Sequence, residues 1–317
     1  MRFDDTIFAL ASAPGKAAVA MVRVSGPAAG MALCRLTDGE LPPPRHAELC
    51  RLADPESGDE IDRVLVLWFP APASYTGEDV AEFHVHGGRA VTAALLAALG
   101  ALDGLRPAEA GEFSRRSFEH GKLDLTAAEG IADLVDAETE IQRRQALRQS
   151  GGALAELYED WRLRLLKARA LIESTIDFSD QELPSGVLEP VAPEISAIGA
   201  EIAVHLQDGG RGERLREGLQ VVILGPVNAG KSSLINRLVG RDAAIVAAEA
   251  GTTRDVIEVR IDLFGWPLTI ADTAGLRAAT TGVEAEGVRR ARARAAGADL
   301  KIVMLDGARW PSVGEET

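Results

Sequence analysis

Residues 219–232 read LQVVILGPVNAGKS, and how this stretch is read decides the fold of the last third of the chain. Its first six residues are apolar and β-branched enough for a buried strand, and residues 233–238, SLINRL, have the spacing of a helix. Between them Gly225, Gly230, Lys231 and Ser232 fill the G-x-x-x-x-G-K-[ST] template in its required strand-to-helix setting. Glycines let backbone N–H groups turn toward phosphate, and the helix N-terminus adds the positive end of its dipole. The pattern therefore predicts a nucleotide site in which Lys231 reaches the β- and γ-phosphates and Ser232 ligates magnesium.

Two later motifs bear on which nucleotide. Gly251-Thr252-Thr253-Arg254-Asp255 falls where a switch segment supplies a second hydroxyl to the metal, assigned to Thr253. Residues 270–275, IADTAG, then end an apolar run with Asp272, placed for the metal's water shell, and Gly275, whose N–H can sense the γ-phosphate. The three motifs in this order predict a translation-factor-type GTPase rather than an ATPase. Leu276 stands where Ras-like proteins keep a water-orienting Gln, so another polar group must do that work. Asn228 is read either as a carboxamide ligand for a monovalent cation beside the phosphates or as a cap of the loop.

Working outward, the 317 residues carry a formal charge of −14 and only two cysteines, Cys34 and Cys50. Such acidity excludes a surface coated in nucleic acid, and the cysteine usage predicts a reducing cytoplasm with no disulfide framework. The first residues, MRFDDTIFALASAPG, are acidic where a signal peptide needs positive charge, and no apolar run reaches membrane-span length. Up to about residue 120, β-rich runs at 18–24 and 64–69 and an apolar helical run at 90–102 predict an α+β domain. From Leu125 the spacing becomes helical and suggests two long helices, then a third at 195–206, with 209–212 read as a turn or linker. His84 and His86 alternate along a strand and are read as structural rather than as a metal site; Arg289, Arg290, Arg292 and Arg294 are read as a solvated helix face.

Taken together, DDTIFALASAPG, VRVSG, SYTGEDVAEFHVHGG, AGEFSRRSFEHGKLDLTAAEGIADLVDA, GPVNAGKSS, AAIVAAEAGTTRDV and DTAGLR resemble the tRNA uridine-5-carboxymethylaminomethyl modification GTPase (TrmE/MnmE) family. The resemblance implies a multidomain α+β and α/β protein: a folate-binding and dimerising α+β domain at 1–120, the first half of a helical domain at 121–217, and an incomplete Ras-like P-loop domain at 218–317. It further implies 5-formyl- or methylene-tetrahydrofolate held by Arg23, Glu82 and Lys122. Potassium would be held by Asn228, Ala247, Glu249 and Thr252, and magnesium by Ser232 and Thr253. The implied GTP contacts are Asn228, Ala229, Gly230, Lys231, Ser232, Ser233, Ala247, Ala248, Glu249, Ala250, Gly251, Thr252, Thr253, Asp272, Thr273, Ala274 and Gly275.

Glu284 falls on the family's water-positioning acid and is implied to be catalytic with Lys231; on spacing alone it is a helix-start acid. The implied partners are a second copy in a homodimer, the FAD-containing MnmG/GidA protein in a heterotetramer, and tRNA, with no membrane. The chain departs from the family at Pro226-Val227, where relatives often have Arg-Pro, and it contains no Asn-Lys-x-Asp guanine-reading motif. As read to Thr317 it is therefore expected to bind GTP weakly and without base selection. A ribosome-assembly GTPase, a folate-dependent aminomethyltransferase-like enzyme and an inactive fragment are the competing readings.

Overall fold

The computed structural model describes residues 5–37, 39–178, 184–207, 210–225, 229–242, 258–271 and 296–305. The chain divides into two compact units, Met1–Ala128 and Glu129–Thr317.

In the first unit, β1 (Thr6–Leu10), β2 (Ala17–Ser25), β3 (Glu48–Ala53), β4 (Glu60–Phe69), β5 (Val80–Gly87) and β6 (Leu105–Pro107) form a sheet of order β3-β4-β5-β2-β1-β6. All neighbours are antiparallel except β1 and β6. Alternation along the strands sorts the two faces. Val22, Val24, Val64, Val66, Ala81, Phe83 and Val85 are buried in one core with α1 (Ala29–Thr37) and α2 (Arg89–Gly100), which supply Leu33, Leu36, Leu95 and Leu99. Arg23, Glu82 and His84 fall on the opposite face, and α3 (Glu112–Glu119) follows β6. The strand and helix runs expected at 18–24, 64–69 and 90–102 correspond to β2, β4 and α2.

Helix α4 (Leu125–Asp136) carries the chain into the second unit, followed by α5 (Glu140–Ser150), α6 (Ala153–Asp177), α7 (Val191–Leu206) and α8 (Arg211–Glu217). This corrects the expected pair of long helices. Thr139 ends the first stretch by accepting a hydrogen bond from Gln142 N–H in a reciprocal capping box, and Gly152, left-handed at φ 92°, separates α5 from α6. The third helix begins at Val191, and α8 starts inside the segment read as a turn. Trp161, Ala168, Val191 and Ile198 are the buried residues of the α6 and α7 pair, and Trp161 Nε1 donates to Glu201 Oε2 at 2.9 Å. Several large apolar residues of α6, including Tyr158, Leu165 and Ile176, are exposed.

The second sheet has the order β10-β7-β9-β8, from β7 (Leu219–Leu224), β8 (Glu258–Leu263), β9 (Trp266–Ala271) and β10 (Leu300–Val303). Strands β10, β7 and β9 are parallel, and β8 is an antiparallel edge. Val221, Ile223, Ile235, Ile261 and Ile270 bury its core against α9 (Lys231–Asp242). Among the described residues no helix is long and apolar enough to cross a membrane.

Candidate functional sites in each unit

The central strand β7 is the one that delivers the glycine-lysine loop. Its register pairs Leu224 with Val303 of β10 and Val222 with Ala271 of β9, so the three parallel strands end along one edge. Ligand sites of open α/β sheets form at that edge. Gly225 leaves β7 at φ 144°, and a Cβ there would lie 2.3 Å from Met304 O, so only glycine fits. Gly230 is left-handed at φ 92° directly before α9. Lys231, the first residue of α9, folds back so that Nζ donates to Gly225 O at 2.7 Å. The ammonium is thus held against the carboxyl-terminal end of β7, an arrangement that fits nucleotide binding.

Of the other expected nucleotide residues, Ala229 and Gly230 precede α9, while Ser232 and Ser233 occupy its first turn. Asn228, Ala247 to Thr253, Asp272 to Gly275 and Glu284 lie outside the described residues, as do Arg289 to Arg294. A cavity of about 490 Å³ in this unit is a different place: Thr139, Gln142, Arg216, Gly218 and Thr269 line it, at the amino-terminal ends of β7 and β9. Arg216 Nε donates to Asp133 Oδ2 at 3.1 Å there, and Gln142 Nε2 donates to Arg216 O at 3.1 Å, which anchors α8 to α4 and α5.

In the first unit, the sheet register places Arg23 of β2 directly beside Glu82 of β5. Arg23 donates from Nε at 3.0 Å and Nη2 at 2.8 Å to the same oxygen, Glu82 Oε1. Its guanidinium also lies over the Tyr75 ring, 5.0 Å from the centroid, and 5.7 Å from that of Phe113. A fixed cation, a carboxylate and two aromatic rings suit a flat, polar-edged heterocycle. Lys122 does not join the pair directly: its Nζ donates to Pro72 O at 3.0 Å, on the 70–79 loop that also carries Tyr75. Tyr75 and Phe113 escaped the sequence reading, because nothing in SYTGEDV or AGEFSRR tells which aromatic turns toward Arg23. His86 Nδ1 pairs with Asp62 Oδ1 at 2.8 Å, and no group of three metal-ligating side chains occurs among the described residues.

The 70–79 loop is seated by a buried charge network that spacing did not reveal. Arg116 is fully buried and donates to Asp5 Oδ1 at 2.8 Å, Asp5 O at 3.0 Å, Glu78 Oε1 at 3.2 Å and Glu112 Oε1 at 3.2 Å. Arg106 closes the network on Glu112 Oε1 at 2.6 Å and Oε2 at 2.9 Å, and Glu78 Oε2 accepts from Ser25 Oγ at 2.7 Å. Hydrogen bonding from Arg106 holds the Glu112 carboxyl down from 4.5 to about 2, against burial that alone would raise it. Asp5 is also lowered: burial, which would raise it, is outweighed by hydrogen bonds from Arg106 and Arg116.

A depressed carboxyl contributes stability that is fully present above its unfolded value and is lost as pH falls through the folded one. For Glu112 the window therefore runs from about pH 4.5 down to about pH 2. Denaturant titrations of the protein are expected to lose on the order of 2 kcal/mol between pH 6 and pH 3 from this group. The Glu112→Gln variant should be less stable at pH 6 and show a flatter profile across the same window.

Comparison with known proteins bears on the family of the chain. Residues 6–122 match the family model described as GTP-binding protein TrmE N-terminus, and residues 125–304 match that of the MnmE helical domain. The tRNA modification GTPase MnmE of Parvibaculum lavamentivorans is 61% identical over 301 residues, covering 95% of this chain and 69% of the relative. That of Paramagnetospirillum magneticum is 59% identical over 314 residues, covering 99% and 71%. The human mitochondrial 5-taurinomethyluridine-[tRNA] synthase subunit GTPB3 is 56% identical over 303 residues, covering 95% and 62%. With two family models tiling the described fold and identities near 60% across nearly its whole length, the chain belongs to the TrmE/MnmE family.

Proposed function

We propose that the chain is a GTP hydrolase of tRNA modification, and that its hydrolysis supports C5 modification of the wobble uridine to carboxymethylaminomethyluridine. The observation that carries this reading is the Gly225–Lys231 arrangement at the end of the central parallel strand, in a chain that also holds the Arg23–Glu82 clamp. Relatives named tRNA modification GTPase are 59–61% identical over 95–99% of the chain. In this reading a folate-binding and dimerising domain occupies 1–120, the first half of a helical domain 121–217, and an incomplete Ras-like P-loop domain 218–317. The match to the helical-domain model runs on to residue 304 and so encloses the P-loop, which supports a G domain inserted in the helical one.

The folate one-carbon unit supplies the added carbon, and Arg23, Glu82 and Lys122 would bind its carrier. At the loop, Lys231 binds the phosphates, while Ser232 and Thr253 ligate magnesium. Asn228, Ala247, Glu249 and Thr252 hold potassium where an arginine finger would otherwise stand, and Glu284 orients the water that Leu276 cannot. The working assembly is a homodimer joined to an FAD-containing partner protein in the cytoplasm. In potassium buffer the full gene product should hydrolyse GTP at least about 10²-fold faster than in sodium, given the size of arginine-finger effects. Glu284→Ala should cost a further factor of about 10². Equal rates in the two salts would remove the cation site, and an unaffected Glu284→Ala would move the water-positioning role elsewhere.

A further inference from the structure

The Arg23–Glu82 clamp accounts for one carboxylate oxygen only, since both arginine nitrogens bond Oε1. Oε2 faces His84 Nε2 at 3.6 Å, an ion-pair distance too long for a hydrogen bond. His84 follows Glu82 by two residues on β5 and so shares its face of the sheet. Its Nε2 is shut off from solvent and makes no hydrogen bond. The residues directly across from His84 are apolar, Met21 of β2 on one side and Leu65 of β4 on the other. A buried ring nitrogen left unmatched in this way is costly, and such groups in native folds point to a role. Only a small side-chain movement separates Nε2 from hydrogen-bond distance to Oε2.

We propose that His84 is a positioning residue of this site: its Nε2–H closes onto Glu82 Oε2 when ligand binds, fixing the second carboxylate oxygen as Arg23 fixes the first. Glu82 then presents a single orientation to the donor edge of the heterocycle. The inference rests on the reduced-folate reading of the Arg23–Glu82 site, and the controls separate the two.

The test is calorimetric titration of the protein with 5-formyl-tetrahydrofolate. His84→Leu is expected to weaken binding about tenfold, the size of one lost hydrogen bond to a charged group. His84→Gln, which keeps an N–H donor, should restore affinity to within about threefold of wild type. Because His84 acts through Glu82, His84→Leu added to Glu82→Gln should cost nothing more than Glu82→Gln alone. The ligand-free melting temperature of His84→Leu should match or exceed that of wild type, since an unmatched buried nitrogen is removed. Wild-type affinity in His84→Leu, or a full additive loss in the double variant, overturns the assignment of His84 alone. No binding by the wild type overturns the folate reading together with it.

Discussion

Lys231→Ala is expected to lower GTP hydrolysis by the full gene product about 10²- to 10³-fold, the usual loss when a preorganised charge is removed from a transition state. The position dictates this size. Lys231 opens α9, and its Nζ is held by Gly225 O at 2.7 Å, at the end of β7. Negative charge develops on the phosphates during transfer, and a point charge fixed there stabilises it without reorganising. The side chain is only half-buried and lies outside the sheet core, so the melting temperature should change little. A lysine that merely tied the loop would give the opposite pattern, with lower stability and unchanged hydrolysis.

The second large effect is on stability. Arg116→Met should destabilise the first unit by about 3–5 kcal/mol, the range for breaking a buried ion pair by removing one partner. Arg116 is fully buried, and of the carboxylates it leaves behind Glu112 and Glu78 are shut off from water while Asp5 is partly exposed. An exposed pair such as Arg143 with Glu140 would cost far less, since solvent screens it. Arg116→Lys should recover only part of the loss, because three carboxylates are reached through a fork that an ammonium cannot reproduce. Equilibrium denaturation measures both variants. The consequence reaches the site as well: Glu78 on the 70–79 loop loses its arginine partner, and that loop carries Tyr75 beneath Arg23.

How much the sequence discloses depends on how local the determining physics is. The P-loop is legible because its chemistry needs Gly225, Gly230 and Lys231 at fixed spacing between a strand and a helix. The breaks in the helical stretch had local signals too, in the Thr139-x-x-Gln142 capping box and the Gly151-Gly152 pair. Apolar periodicity alone overrode them, although Val135 proves 80% exposed and Ile141 belongs to a different helix from Ile131. Helix α8 has one apolar residue, Leu215, in seven, so it presents no stripe to read.

The Arg23–Glu82 pair became visible through family resemblance, but its geometry is set by strand register across 59 positions of chain. The Arg116 network is the least legible part. Glu112 and Arg116 at i,i+4 look like any solvated helix pair, and only the arrival of Asp5 and Glu78 from distant segments turns them into a buried cluster.

The most direct test is nucleoside mass spectrometry of tRNA from cells whose only copy of the gene encodes Lys231→Ala. The C5-modified wobble uridine should fall to the level found when the gene is deleted, while the variant protein accumulates normally. Wild-type levels of that nucleoside in the deletion strain would contradict a role in tRNA modification, and wild-type levels in Lys231→Ala alone would contradict a role for its phosphate loop.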